Sequence, residues 1–263
     1  MKKVKVIILR AAGTNCDMET AFAFQKVGAE TELVHINQLV KGKKYLADYH
    51  IIAIPGGFTY GDDIASGRIL ANELKYKLQD DLMEFIREGK LIIGICNGFQ
   101  VLVKAGLLPN VTGGFRMDAT LVLNNSARFE DRWVHLKKAE SKCVWTKGVK
   151  DEIIYLPVAH AEGKFVAKDE ETLRLLVREG LVVFRYVSRG GAFSGYPENP
   201  NGSQDNIAGM CDTTGRIFGL MPHPERHIDI LQHPNWTRIR KKKEGDGLAI
   251  FRSGVSYARK NLL

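Results

Sequence analysis

Hydrophobic and polar positions along the chain follow two rhythms. Positions 4–9 (VKVIIL), 32–36, 49–54 and 91–93 are short, nearly continuous apolar runs rich in Ile and Val. Runs without a polar face are what central parallel strands require when both faces are covered. Between them the helical period takes over. Asn15-Cys16-Asp17 can cap a helix that runs to about Val27 and ends at Gly28. A second helical region spans about 66–88, broken once and stopped by Gly89. Strand, helix, strand at this spacing is a βαβ unit, and right-handed crossovers build such units into a doubly wound, mostly parallel α/β sheet flanked by helices.

After Gly106 the pattern changes. Positions 119–123 and 132–138 read as shorter, half-exposed strands, separated by the polar loop NNSARFEDRW at 124–133. These form an additional, smaller β region. An apolar strand then leads into the polar turn His160-Ala161-Glu162-Gly163. Positions 170–179 are helical, 181–187 a strand, and 196–203 a turn-forming loop. Positions 207–212 and 216–220 resemble a hairpin around Thr213-Thr214-Gly215, and 248–262 a closing helix. With neither internal repeats nor low-complexity stretches, the 263 residues read as a single domain, 1–263.

Composition narrows the class without naming a chemistry. Hydrophobic residues at 44% and charged residues at 26% are those of an ordinary globular protein. The apolar run near the N-terminus is short and cut by Arg10, so it reads as a first strand, and no stretch approaches a membrane span. A net charge of +8 suits an acidic partner, surface or substrate and says nothing of fold. The densest basic run, Arg238-Ile239-Arg240-Lys241-Lys242-Lys243, lacks interleaved aromatics, so a solvated loop accounts for it better than a nucleic-acid site. Cys16, Cys96, Cys143 and Cys211 form no C-x-x-C pair. That leaves neither a metal set nor a disulfide framework legible and fits a reducing, cytoplasmic setting.

Three stretches carry candidate chemistry. The run at 91–93 passes directly into Gly94-Ile95-Cys96-Asn97-Gly98 and then a helical pattern, the shape of a nucleophile elbow. A thiol at such a turn sits at a helix N-terminus, whose partial positive charge favours thiolate. A free cysteine is also a common core residue, so the motif alone leaves both readings open. Pro55-Gly56-Gly57-Phe58 follows the third strand at the edge where open α/β sheets bind ligands. Its unshielded amides can serve an oxyanion, or the loop can simply turn. Late in the chain, Met221-Pro222-His223-Pro224-Glu225 puts a histidine and a carboxylate two apart. In extended chain they point the same way, so Glu225 can orient His223 as a base for Cys96.

Taken together, these motifs resemble class I glutamine amidotransferases, a flavodoxin-like α/β family. The likeness is closer to the amidotransferase subunits of phosphoribosylformylglycinamidine (FGAM) synthase. GTNCD at 13–17, PGGFTYGDD at 55–63, GICNGFQ at 94–100, RFEDRWV at 128–134, AHAEG at 159–163 and ENPNGS at 198–203 carry it across nearly the whole chain. The resemblance implies Cys96 as nucleophile, His223 as base and Glu225 as its orienter. It implies the backbone amides of Gly57 and Asn97 as oxyanion donors and Gln100 as a holder of the substrate's amino-acid end. It further implies hydrolysis of glutamine through a thioester, with ammonia passed to a separate large FGAM synthetase subunit, often with a small accessory subunit, in purine biosynthesis. ATP and Mg would be used by that partner, and this chain would need no cofactor. The rival implications are a free-standing cysteine hydrolase of the same fold, γ-glutamyl hydrolase-like, and a noncatalytic binding protein. Arg128, His160 and Glu162 remain without an assigned role beyond the subunit interface or site coupling.

Overall fold

The computed structural model describes residues 2–111, 113–239 and 243–263. The N-terminal half comprises β1 (Lys5–Arg10), α1 (Asp17–Lys26), β2 (Glu30–His35), α2 (Ile36–Val40), β3 (Ile51–Ile54), α3 (Arg68–Lys77), α4 (Gln79–Arg87), β4 (Leu91–Ile95) and α5 (Asn97–Lys104). The C-terminal half follows as β5 (Ala119–Val122), β6 (Glu130–Lys138), β7 (Ile153–His160), β8 (Lys164–Ala167), α6 (Glu170–Arg178), β9 (Val182–Val187), β10 (Ile207–Cys211), β11 (Ile217–Leu220) and α7 (Leu248–Asn261).

Nine strands form one sheet in the order β2-β1-β3-β4-β11-β10-β9-β6-β7. The neighbours from β2 to β11 run parallel, and those from β11 to β7 antiparallel. The continuous apolar runs are the buried strands: every residue of β3, β4 and β11 is inaccessible. The expected hairpin forms, with Gly209 opposite Leu220. The smaller β region divides. β5 and β8 make a separate two-stranded sheet, whereas β6 and β7 extend the main one.

Several expected boundaries move. The polar loop expected over 124–133 ends earlier, because β6 already begins at Glu130, which pairs with His160. Ile36, read as strand, starts α2 instead, where the His35 side chain accepts from the Asn37 amide. The 66–88 region breaks at Leu78, between α3 and α4. The cap expected of Asn15-Cys16-Asp17 is not made through side chains. Asn15 Oδ1 accepts from the Cys16 thiol at 3.1 Å, and Asp17 pairs with Arg10 at 2.6 Å. Of the basic run, Arg240, Lys241 and Lys242 lie outside the described residues.

α7 returns across the sheet to close the core. Phe251 meets Phe24 of α1 edge-on at 5.0 Å, and Trp145 meets the same ring at 6.4 Å. The Trp145 indole donates to the Arg216 carbonyl at 2.9 Å, so its one polar atom is satisfied inside the core.

Candidate active site

The elbow is built by two glycines that touch. A β-carbon on Gly94 would lie 2.5 Å from the Gly98 carbonyl oxygen, and one on Gly98 would lie 1.9 Å from the Ile54 carbonyl oxygen. Only residues without side chains let α5 start this close to β3 and β4. The turn between them forces Cys96 to φ 51°, ψ −107°, a costly backbone for a residue with a β-carbon. The Cys96 amide, donating to the Leu220 carbonyl at 2.8 Å, holds the turn in place.

Sheet order brings His223 to Cys96. β4 and β11 are parallel neighbours with Ile95 opposite Leu220, so the residues that follow each strand emerge side by side. Cys96 leaves one strand, and Met221-Pro222-His223 the other. The His223 amide donates to the Pro157 carbonyl of β7 at 2.8 Å, and the Cys96 thiol lies 3.6 Å from the neighbouring Ala159 carbonyl. Cys96, His223 and Glu225 are all buried.

His223 and Glu225 do pair, at 2.6 Å between Nδ1 and Oε1. The extended backbone expected for the pair is not what joins them. Pro224–Arg226 form a 3₁₀ turn, which swings the carboxylate back under the ring. Burial on its own pushes the His223 imidazole down, but the Glu225 carboxylate and the Cys96 sulfur together hold it well above the ordinary histidine value. Its Nε2 is buried without a hydrogen bond among the described residues.

The two glycine turns meet beside the thiol. Asn15 and Cys16 donate their amides to the Gly56 carbonyl, and Phe58 donates to that of Gly13, so GTNCD and PGGF are zipped together. Gly57 sits at φ 146°, with its α-carbon face packed against the 13–15 backbone. Among the described residues, the amides of Gly57 and Asn97 donate to no other backbone carbonyl.

Asn97 and Gln100 are buried in a polar network. Asn97 Oδ1 accepts from the Thr59 hydroxyl at 2.7 Å, while its Nδ2 donates to Asp62 at 3.0 Å and to Gln100 Oε1 at 2.9 Å. Gln100 Nε2 donates to the Glu162 carbonyl at 2.6 Å. Each end of the Gln100 amide thus makes one hydrogen bond within the protein, with a second lone pair and a second N–H left over. The Glu162 carboxylate accepts from the Ser66 amide and lies 3.6 Å from Lys104, whose ammonium burial pushes down and Glu162 holds up.

His160 ends β7 beside this network. Its ring packs where a Gly163 β-carbon would sit, within 2.3–2.7 Å, and its Nδ1 is 3.2 Å from Asn124 Oδ1. Burial, then the nearby charge of His223, pushes its pKa down to about 3, so it is neutral. Arg128 is exposed. Arg132 pairs with Glu130 and stacks 4.8 Å over the Tyr196 ring.

Two residues enter the site without an assigned role in the motif reading. Cys16 is buried against His223, and Arg226 Nη2 lies 3.1 Å from its sulfur. Burial pushes the Cys16 thiol up. The GTNCD block marked the position, but nothing local in the sequence linked it to a histidine two hundred residues away.

Residues 3–258 match the family model of the CobB/CobQ-like glutamine amidotransferase domain. The chain is 50% identical over 261 residues to phosphoribosylformylglycinamidine synthase subunit PurQ of Dehalococcoides mccartyi, covering 98% of this chain and 99% of the relative. It is 49% identical over 270 residues to the subunit of the same name from Methanococcus maripaludis, covering 97% and 98%. Among solved structures, a chain of PurLQS from Thermotoga maritima superposes with a TM-score of 0.74 at 32% identity, over 97% of this chain and 99% of that one. A Thermotoga maritima glutamine amidotransferase at 17% identity and TM-score 0.52 shares the fold.

Proposed function

Since the chain belongs to the CobB/CobQ-like glutamine amidotransferase family, we propose that it is the glutamine-hydrolysing subunit of FGAM synthase, working in purine biosynthesis. Its full-length likeness to subunits of that name in two organisms supports this. The observation that carries the chemistry is the buried His223–Glu225 pair set beside the strained Cys96.

With His223 held as imidazolium, the Cys96 thiolate attacks the δ-carbon of glutamine. The amide oxygen takes the negative charge and is stabilised by the Gly57 and Asn97 amides, which have no other backbone acceptor among the described residues. His223 passes its proton to the departing nitrogen, and ammonia leaves a γ-glutamyl thioester on Cys96. Water then attacks the thioester while the now neutral His223 accepts its proton. The tetrahedral adduct expels the sulfur, which releases glutamate and restores the thiolate–imidazolium pair. Glu225 keeps the ring in one orientation and stabilises its charge. Gln100 ties the Glu162 turn to Asn97, so that the wall receiving the substrate's amino-acid end is fixed.

The proposed partners are a large synthetase subunit, which would use ATP and Mg, and a small accessory subunit; the likeness of this chain to one chain of PurLQS from Thermotoga maritima supports work in an assembly. One domain spans 1–263, needs no cofactor of its own and works in the cytoplasm. Among the described residues no helix is long and apolar enough to cross a membrane, and the four cysteines are unpaired.

Glutamate release from glutamine is the decisive measurement, made for the native chain and Cys96→Ala, alone and with the synthetase subunit, its ribonucleotide substrate and ATP. Release that rises with the loaded partner and vanishes in Cys96→Ala is expected. Release that ignores the partner would make the chain a free-standing hydrolase. No release under any condition from a folded chain would sink the catalytic reading.

A further inference from the structure

β6 and β7 put a row of aromatic side chains on one face of their pair. Residues two apart along a strand share a face, and the register sets His135 opposite Tyr155, with Trp133 two positions earlier. The chain beyond the 3₁₀ turn at Pro224–Arg226 crosses this face and adds His227 and His233. The five rings meet with centres 4.4–5.5 Å apart. Trp133, His135, Tyr155 and His233 are only half-buried, so the cluster is not sealed as a core would be. Four of the rings line an open cleft of about 490 Å³, a size ordinary for small-molecule sites. Cys96, His223 and Glu225 are not part of its lining.

The charge of the cleft is positive. Arg189 and Arg238 stand on its lining, both exposed. Arg132, Arg185 and Arg252 each hold a carboxylate. Arg189 and Arg238 form no such pair among the described residues. The carboxylate on the lining, Asp246, accepts the Tyr155 amide at 2.8 Å. Burial, then the charge of Arg189, pushes the His135 imidazole down, and the same charge opposes the upward push of burial on the Tyr155 phenol. Guanidinium and rings therefore act on the same small volume.

We propose that this cleft binds a nucleoside monophosphate, its base against the Tyr155, His135 and His233 rings and its phosphate on Arg189 and Arg238. An aromatic wall takes any base by its flat face, and a guanidinium takes phosphate oxygens in pairs. A sugar phosphate would leave the rings unused, and an uncharged nucleoside would leave the arginines unused. A nucleotide carries both groups at the two ends of one small molecule. The site goes beyond the amidotransferase reading and does not depend on it.

Calorimetric titration of the native full chain with AMP, GMP, UMP and CMP tests this, beside adenosine, ribose phosphate and inorganic phosphate. At least one nucleotide is expected to bind saturably, one per chain, and about tenfold or more tighter than each fragment. Arg189→Ala and Arg238→Ala should each weaken that nucleotide about tenfold, the scale of a charge-assisted hydrogen bond, and leave adenosine unmoved. Tyr155→Leu should weaken nucleotide and adenosine alike and leave inorganic phosphate unmoved. Circular dichroism identifies a variant that has not folded. The two arginines are exposed, so their variants decide the matter if Tyr155→Leu fails to fold. No saturable binding of any of the four nucleotides at about 10 mM overturns the proposal. So does equal binding of nucleotide and ribose phosphate, or an affinity unmoved in both arginine variants. A short oligonucleotide that binds more tightly than every mononucleotide also overturns it, by making the cleft part of a nucleic-acid surface.

Discussion

At the scale of single residues, the site is a set of opposed electrostatic effects whose balance can be reversed. Burial alone would empty His223 of its proton, and Glu225 refills it. The raised folded value means that imidazolium persists above the ordinary histidine range, near 6.5, and is lost only as pH climbs through the raised value. Replacing Glu225 with Gln removes the largest supporting charge and leaves only the sulfurs of Cys96 and Cys16 to oppose burial. The alkaline limb of glutamine hydrolysis should then move to lower pH, and kcat should fall on the order of 10²–10⁴-fold. A pH–rate profile of both proteins checks the direction; an unmoved limb would mean that Glu225 does not govern the ring. That His223 and Glu225 belong together was legible from H-x-E. The turn that joins them was not, because a two-residue spacing is compatible with extended chain and with a 3₁₀ turn alike.

At the scale of elements, the elbow depends on backbone approaching backbone. Gly98 stands where a β-carbon would be 1.9 Å from the Ile54 carbonyl oxygen, and neither partner is a side chain that could rotate away. Gly98→Ala must therefore push α5 off β3. A loss of about 3 kcal/mol or more is expected, at the upper end of overpacking costs, together with loss of hydrolysis as Cys96 shifts. Urea unfolding measures the first and the glutaminase assay the second. The glycines of G-x-C-x-G announced a tight turn in the sequence. The atoms Gly98 makes room for lie some forty residues upstream, at Ile54, where no local pattern points to them. The same limit explains β6. Its alternating pattern declared a strand from Arg132, but Glu130 and Asp131 looked like loop because both are charged, and pairing with β7 supplies what propensity lacks.

At the scale of the whole molecule, stability and site share groups. His160 is kept neutral by burial, with its pKa near 3, while the unfolded chain protonates the same ring near 6.5. A depressed histidine stabilises the fold fully above the unfolded value, and that stability drains away as pH falls from about 6.5 towards 3. His160→Asn, which can still reach Asn124, should flatten this acid slope whatever its effect at neutral pH. Denaturant midpoints from pH 7 to 4 provide the comparison. The closing packing of α7 is equally global. Trp145, fully buried against α7 and α1, should cost about 3–5 kcal/mol when cut to Ala, visible in the midpoint of thermal or urea unfolding.

The sequence by itself determined the α/β class, the buried strands, the glycine-flanked turn and the three candidate residues Cys96, His223 and Glu225, because each is written in local terms. Apolar runs, glycines around a turn and a histidine two from a carboxylate need no knowledge of what lies across the sheet. Only the tertiary structure decided which groups meet. It set β11 beside β4 and so His223 beside Cys96. It folded GTNCD onto PGGF and brought Cys16 to the same imidazole, and it tied the Gln100 amide to Asn97 and Glu162. The reason is physical: periodicity records how each segment buries its own face, whereas strand order and loop contacts follow from packing all the segments at once.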